Sequence, residues 1–371
     1  MHSTTDIPVP AQKASGFLQL IDPDGHRVGS AEERERVRDL DHDALRGLLE
    51  DMRIIRRIDE EGTALQRHGE LGIWPPVRGQ EAAQIASARM LRAEDFVFST
   101  YREHGVAYCR GAEPTDLARA WRGVTFCGWD PNAIRMAAGQ VIIGAHALHA
   151  TGYAMGIAWD GDDSAAIAYL GDGAMSEGDV SEAMVFAASF RVPVIFFVQN
   201  NQWAISEPVT LQSRVPLSER GSGFGIPAIR VDGNDVLAVA SATRTALERA
   251  RTGGGPTLIE AVTYRMGPHT TADDPTRYRA DDEVAAWEAR DPILRLERLL
   301  DREGALPDGF DERVTARGDA LAGEMRAGCT ALSDPTPESL FSHVYAEPHA
   351  DMDAQREALV AYLDGLEEAP R

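Results

Sequence analysis

Two short polar clusters hold the residue types best suited to chemistry. Gly171-Asp172-Gly173 and Asn200-Asn201-Gln202-Trp203 each follow an apolar run, at 164–170 and 192–198. A carboxylate and a side-chain amide, beside glycines that admit close backbone approach, suit a hard divalent cation bridging a diphosphate. Magnesium takes about six oxygens and keeps few protein ligands, so two side chains, a carbonyl, a water and two phosphate oxygens would complete its shell. A Gly-Asp-Gly triplet alone is an ordinary turn after a strand. The spacing adds the information: twenty-six residues separate the triplet from the Asn pair, the length of one helix plus one strand.

The elements that must position these clusters follow from periodicity. Helix-like spacing at 178–190 between the two apolar runs makes a βαβ crossover, whose strands are parallel and buried on both faces. Residues 229–231 and 257–263 extend the same sheet, with a helix over 236–251 between them. Upstream, residues 41–68 carry apolar side chains at helical spacing, 79–91 and 115–122 read as further helices, and 95–100 as a short strand. The stretch 144–158, with small residues on nearly every turn, reads as a helix lying tightly against the sheet. The expected fold class is α/β, a doubly wound parallel sheet in which ligands bind beyond the carboxyl ends of the strands. The domain reading is an N-terminal arm at 1–40, the α/β domain at 41–280 and a C-terminal helical region at 281–371. The helix beginning near Gly178 would point its positive end at the same place as the two clusters.

Composition removes other classes. With 59 acidic against 37 basic residues, a net charge of −22 makes nucleic acid an unsuitable partner. Three scattered cysteines build neither a disulfide framework nor a zinc site, which suits a cytoplasmic protein. No apolar run approaches the ~20 residues of a membrane helix, and the first thirty residues lack a secretory pattern. Neither GxGxxG nor GxxxxGK[ST] is present, against a nucleotide-binding scaffold.

The motif at 171–183 together with 200–206 resembles the thiamine diphosphate signature of the alpha subunits of 2-oxo acid dehydrogenases. The resemblance runs from about residue 41 to 346 and implies the thiamine diphosphate-binding fold, the cofactor itself and Mg2+. It places Gly171, Asp172, Gly173 and Ala174 around the diphosphate, with the metal on Asp172, Asn201 and the Trp203 carbonyl. The segment 99–105 is similar to the family's Tyr-Arg pair, Tyr101 and Arg102, where Arg offers phosphate a bidentate fork and Tyr a hydroxyl. The loop at 264–274 is similar to the one that carries a catalytic His over the cofactor, here His269. Thr270 falls where some relatives carry a phosphoserine. Ile143 would pack against the bent cofactor.

The same resemblance implies partners. This cofactor needs a second grip, on its aminopyrimidine, and the chain has no second α/β domain. A separate beta chain, in an α2β2 assembly, would supply it, and a lipoyl-bearing acyltransferase core would accept the acyl group. Residues 176–179 and 270–274 lean toward branched-chain 2-oxo acids, with pyruvate and then acetoin as alternatives. Two departures stand against that leaning: the chain is short between Trp121 and Gln140, with no His there, and Gln199 replaces an Arg. Half of a split transketolase would share the metal motif but need extra His and Arg residues for sugar phosphates. His146 and His149 could ligate a metal at i and i+3 but suit packing within a helix better. Glu177 and Glu182 read as complements to a helix dipole, and Trp74-Pro75-Pro76 as a rigid turn.

Overall fold

The computed structural model describes residues 17–367. Its centre is a six-stranded, all-parallel sheet of β1 (Phe17–Leu18), β2 (Phe96–Phe98), β3 (Ala166–Gly171), β4 (Val194–Asn200), β7 (Ala228–Asp232) and β8 (Thr257–Val262). The spatial order is β1-β7-β8-β4-β3-β2. Two more two-residue strands, β5 (Trp203–Ala204) and β6 (Glu207–Pro208), form a small antiparallel ladder outside the sheet.

Helices cover both faces, so alternate residues of each central strand enter different cores. Ile167, Tyr169, Ile195 and Phe197 join the helices His42–Arg67, Glu81–Arg89 and Val236–Arg251. Ala166, Ala168, Phe196 and Val198 join Ala145–Asp160 and Gly178–Phe190 on the other side. The expected doubly wound sheet is therefore the observed one.

The helix Ala145–Asp160 uses its small residues on two sides. Ala147, Ala150 and Ala154 press on the sheet, whereas a methyl added at Gly152 or Gly156 would meet no other residue. Its two histidines diverge. His146 is buried with Nε2 2.6 Å from the Tyr169 carbonyl, and His149 is exposed, so they form no metal pair.

Two boundaries differ from the sequence reading. β4 runs two residues beyond the apolar run, because Gln199 pairs with Gly171 and Asn200 with Val262. The ladder's backbone hydrogen bonds carry the strand past the change in side-chain polarity. The part of the expected arm at 1–16 lies outside the described residues; from Phe17 onward the chain belongs to the fold. β1 pairs parallel with β7, and Leu20 and Ile21 are fully buried.

Asp235 explains that anchorage. One carboxylate oxygen accepts from the Leu20 and Ile21 amides, both at 2.6 Å, while the other caps Val236–Arg251 through Leu237 and Ala238. Replacing it leaves buried amides unpaired and removes a helix cap. Asp235→Ala is expected to cost about 3 kcal/mol in chemical denaturation; a loss below about 1 kcal/mol would refute the anchor.

The C-terminal helices divide. Phe310–Thr330 packs on His42–Arg67 and Pro114–Arg122, whereas Ala350–Glu367 contacts mainly the short helix Pro337–Phe341. Among the described residues, no helix is long and apolar enough to cross a membrane.

Candidate active site

The carboxyl ends of four strands deliver the predicted residues to one cavity of about 360 Å³. β3 ends in Gly171 and gives way to a 3-10 turn, Asp172–Ser176, which supplies Asp172, Gly173 and Ala174. β4 ends at Asn200, so Asn201 and Trp203 sit on the adjoining strand end. The segment after β2 brings Tyr101 and Arg102, and the segment after β8 brings His269. Ile143, just before Ala145–Asp160, closes one side. All ten predicted positions line this space.

Among the further lining residues, Gln80, Glu103, Gln199 and Arg265 were given no part in the site by sequence reasoning. Gln80 accepts at Oε1 from Asn201 Nδ2 at 3.0 Å, and its own buried Nε2 has no partner. Glu103 is buried, and burial pushes its carboxyl up; its oxygens accept from Gln199 Nε2 and Thr100 Oγ1, both at 2.6 Å. Gln199 had been noted only as a replacement for Arg; here its amide serves Glu103 where a cation would make an ion pair. Arg265 stood unremarked inside the His269 motif. Its signal was a lone cation three residues past the end of β8.

Arg102 and Arg265 decide the electrostatics. Both are buried, and among the described residues neither has a carboxylate within ion-pair distance. Arg102 donates to the Pro76 carbonyl at 2.7 Å and the His269 carbonyl at 2.9 Å. Arg265 donates to the Trp203 carbonyl at 2.9 Å and the Ile205 carbonyl at 2.8 Å. Burial, aided by Arg102, pulls the Arg265 guanidinium down to about 10. Two uncompensated cations in a chain of charge −22 create a strong local demand for an anion.

His269 is set by those cations. Its Nδ1 lies 3.2 Å from Arg102 Nη2 and 3.3 Å from Arg265 Nη1, both obligate donors. Nδ1 therefore accepts, and the neutral ring carries its proton on Nε2. Burial and then the two guanidiniums lower its pKa to about 3. The backbone amide of His269 donates to Asp273 Oδ2 at 3.0 Å, which fixes the loop. Thr270, next in the chain, does not line the cavity.

Asp172 lies opposite in charge and equally buried, and desolvation lifts its carboxyl to about 6. Among the described residues no three His, Cys, Asp or Glu side chains cluster as metal ligands. A cation here would hold Asp172, an amide oxygen and a carbonyl, and would draw its remaining oxygens from a ligand. Asn201 Oδ1 accepts from the Trp203 amide at 3.2 Å and keeps a second lone pair; the Trp203 carbonyl, shared with Arg265, does too. The donor set thus fits a hard cation carrying a polyanion.

The glycines fit the same group. A methyl on Gly173 would stand 2.7 Å from the Ala204 Cβ, so that position is sterically closed. Gly171 has φ −78°, allowed to any residue, and a methyl there would meet no protein atom within 4 Å. The space it would fill belongs to the cavity. Gly171→Val is expected to leave the melting temperature nearly unchanged and weaken diphosphate binding by at least about tenfold. Trp203 fluorescence in a titration would read it, and unchanged affinity would refute the cradle.

Comparison with known proteins agrees with this geometry. Residues 50–328 match the family described as the dehydrogenase E1 component. The chain belongs to that family. Dehydrogenase E1 relatives include the 3-methyl-2-oxobutanoate dehydrogenase subunit alpha of Mycobacterium tuberculosis, 48% identical over 93% of this chain and 94% of that one. A pyruvate dehydrogenase E1 component subunit alpha from Staphylococcus epidermidis is 38% identical over 92% of each chain. Its Staphylococcus aureus counterpart is 40% identical over 82% of each. For an E1 chain, the other polar candidates take lesser places. Glu177 lines the cavity rim beside the start of Gly178–Phe190, and Glu182 lies on that helix outside it. Trp74-Pro75-Pro76 is a buried irregular segment rather than the expected turn, which falls at residues 78–79; Trp74 Nε1 donates to Asp59 at 2.8 Å and its ring stacks on His104.

Proposed function

We propose that this chain is the alpha subunit of a 2-oxo acid dehydrogenase, acting on branched-chain 2-oxo acids of the 3-methyl-2-oxobutanoate type with thiamine diphosphate and Mg2+. The observation that carries the reading is the buried Arg102 and Arg265, neither ion-paired among the described residues, sharing one cavity with the buried carboxylate of Asp172. That arrangement suits a metal-bridged diphosphate better than a metal or an anion alone. When bound, thiamine diphosphate supplies the carbon nucleophile and electron sink for decarboxylating the 2-oxo acid.

The chain's own residues do the holding. Asp172, Asn201 Oδ1 and the Trp203 carbonyl would hold the metal, and Tyr101 and Arg102 the diphosphate. Arg265 keeps His269 neutral, with Nε2–H free to donate toward the reacting centre. Ile143 supplies an apolar stop beside Gly171.

The substrate preference rests on the 48% identical relative, with pyruvate as the second reading from the 38% and 40% identical ones. The cofactor's aminopyrimidine would be held by a beta subunit in an α2β2 assembly, as the family implies. Exposed Ile142, Trp159, Phe186 and Phe190 supply the apolar surface such a partner needs. A lipoyl-bearing acyltransferase core would receive the acyl group. Three unpaired cysteines support a reducing, cytoplasmic setting.

The test is turnover of 3-methyl-2-oxobutanoate and pyruvate by the co-expressed assembly, with Mg2+, thiamine diphosphate and an artificial electron acceptor. The branched acid is expected to give the higher kcat/KM. No turnover of either acid by an assembly that binds the cofactor would overturn the reaction.

A further inference from the structure

The irregular segment 74–80 joins the helix His42–Arg67 to the active site, and its backbone groups are sorted between the two. The amides of Val77, Arg78 and Gly79 go to two buried carboxylates. Asp59 Oδ1 accepts from Trp74 Nε1 at 2.8 Å and the Val77 amide at 3.0 Å, and Oδ2 from the Arg78 amide at 3.3 Å. Glu81 Oε2 accepts from the Gly79 amide at 2.8 Å. The carbonyls of Trp74 and Pro76 go to the site. Pro76 accepts from Arg102 Nη1 at 2.7 Å, and Trp74 accepts at 2.9 Å from the amide of Thr271, two residues past His269. The Trp74 amide donates back to Thr271 Oγ1 at 3.0 Å.

The helix is shaped to receive this segment. Asp59 and Gly62 share one of its faces at i and i+3. A methyl at Gly62 would lie 2.3 Å from the Trp74 ring, so only glycine lets the indole rest there with its N–H at Asp59. The same ring stacks on His104 at 4.3 Å.

Asp59 is costly where it stands. It is buried, and burial pushes its carboxyl up to about 7. The arginines nearest it on the helix serve other acids: Arg56 pairs with Glu81 and Asp291, and Arg57 with Glu61 and Asp319. An apolar side chain would suit such a place better for stability alone. What an acceptor adds is a fixed direction for three N–H groups. Among the described residues, the Arg102 guanidinium donates only to Pro76 and His269, so both of its supports trace back to this segment.

We propose that Asp59 is a positioning residue, which holds the segment by its N–H groups so that the Pro76 carbonyl aims Arg102 and the Trp74 carbonyl sets the loop carrying His269. The inference rests on the proposed function and adds to it a residue outside the cavity lining.

The test uses inorganic pyrophosphate with Mg2+, titrated by calorimetry into the cofactor-free assembly, so that the readout needs no 2-oxo acid. Asp59→Leu keeps the size of the side chain and removes both acceptors. It is expected to weaken pyrophosphate binding by at least about tenfold. Asp59→Asn keeps Oδ1, which accepts the two shorter bonds, and is expected to stay within about threefold of wild type. At saturating thiamine diphosphate, kcat should fall by at least about tenfold in Asp59→Leu, with KM for the 2-oxo acid within about threefold, and recover in Asp59→Asn. Both variants are neutral and similar in size, so a role in charge or packing alone would make them alike. Equal pyrophosphate affinities would therefore overturn the positioning. Trp74→Phe removes one of the three donors and keeps a ring against His104, which serves if Asp59→Leu does not assemble. Pyrophosphate should bind it at least about threefold more weakly, and wild-type affinity there would also overturn the proposal. If the affinities separate as expected while no 2-oxo acid turns over, the positioning stands and the proposed reaction falls.

Discussion

Asp172→Asn, assembled with the beta chain, is expected to lose about a thousandfold or more in turnover while its cofactor-free form becomes more stable. Both effects come from one buried carboxylate. Asp172 is 2% exposed, and desolvation lifts its pKa from 3.8 to about 6. A carboxyl raised on folding binds its proton more tightly in the native state. Its contribution is therefore full below the unfolded value and is lost as pH rises through about 6. At neutral pH the empty site bears that cost, on the order of 1–3 kcal/mol, and an amide removes it. A metal bound there would reverse the balance, because it would need the carboxylate ionised. Cofactor binding with Mg2+ should weaken as pH falls through about 6, by roughly tenfold between pH 7 and 5. Thermal melts of the cofactor-free assembly, paired with Mg2+-dependent titrations, read both signs. A variant that keeps turnover, or that melts lower than wild type, would reject this account.

His269→Ala is expected to lower kcat by about 10²–10³-fold while thiamine diphosphate affinity changes by less than about tenfold. The ring accepts from Arg102 and Arg265 at Nδ1, so its single proton points outward on Nε2. Gln can place an N–H at a similar distance, and His269→Gln should recover part of the loss where Ala does not. The ring's pKa, about 3 in the free site, keeps it neutral throughout the working range. The acid limb of cofactor binding is therefore assigned to Asp172, and it should persist in His269→Gln. Its disappearance in that variant would move the titrating group to His269. A diphosphate bound there would neutralise the two guanidiniums, so the ring's pKa should rise on binding, which histidine NMR would detect as a titration confined to the loaded assembly.

The chemistry was legible where residue type and spacing coincided. Asp172 and Asn201 could be paired because two buried parallel strands joined by one helix place their carboxyl ends side by side. The strand period, 2, and the helix period fixed that geometry without any tertiary knowledge. Arg265 and Gln80 escaped because their roles come from what they lack. An unpaired buried guanidinium and an orphaned amide look in sequence like any surface Arg or Gln. Gln199 was seen, but its partner Glu103 lies 96 positions away. β1 escaped because two residues carry no period, and their pairing depends on β7, far along the chain.

The placement of β1 sets an order of events during synthesis. Gln19 donates to Asp232 across 213 positions, and the Leu20 and Ile21 amides wait for Asp235. β1, the earliest strand among the described residues, is therefore made long before its neighbour β7. At about 5–20 residues per second, its apolar edge stays without its neighbour for roughly 10–40 s. During that interval Phe17-Leu18-Gln19-Leu20-Ile21 is an open template for other chains or a handle for chaperones. Closure of the sheet edge by β1 thus reports that the centre of the domain has already been made, and a chain stalled before Asp232 would carry that exposed edge as its mark.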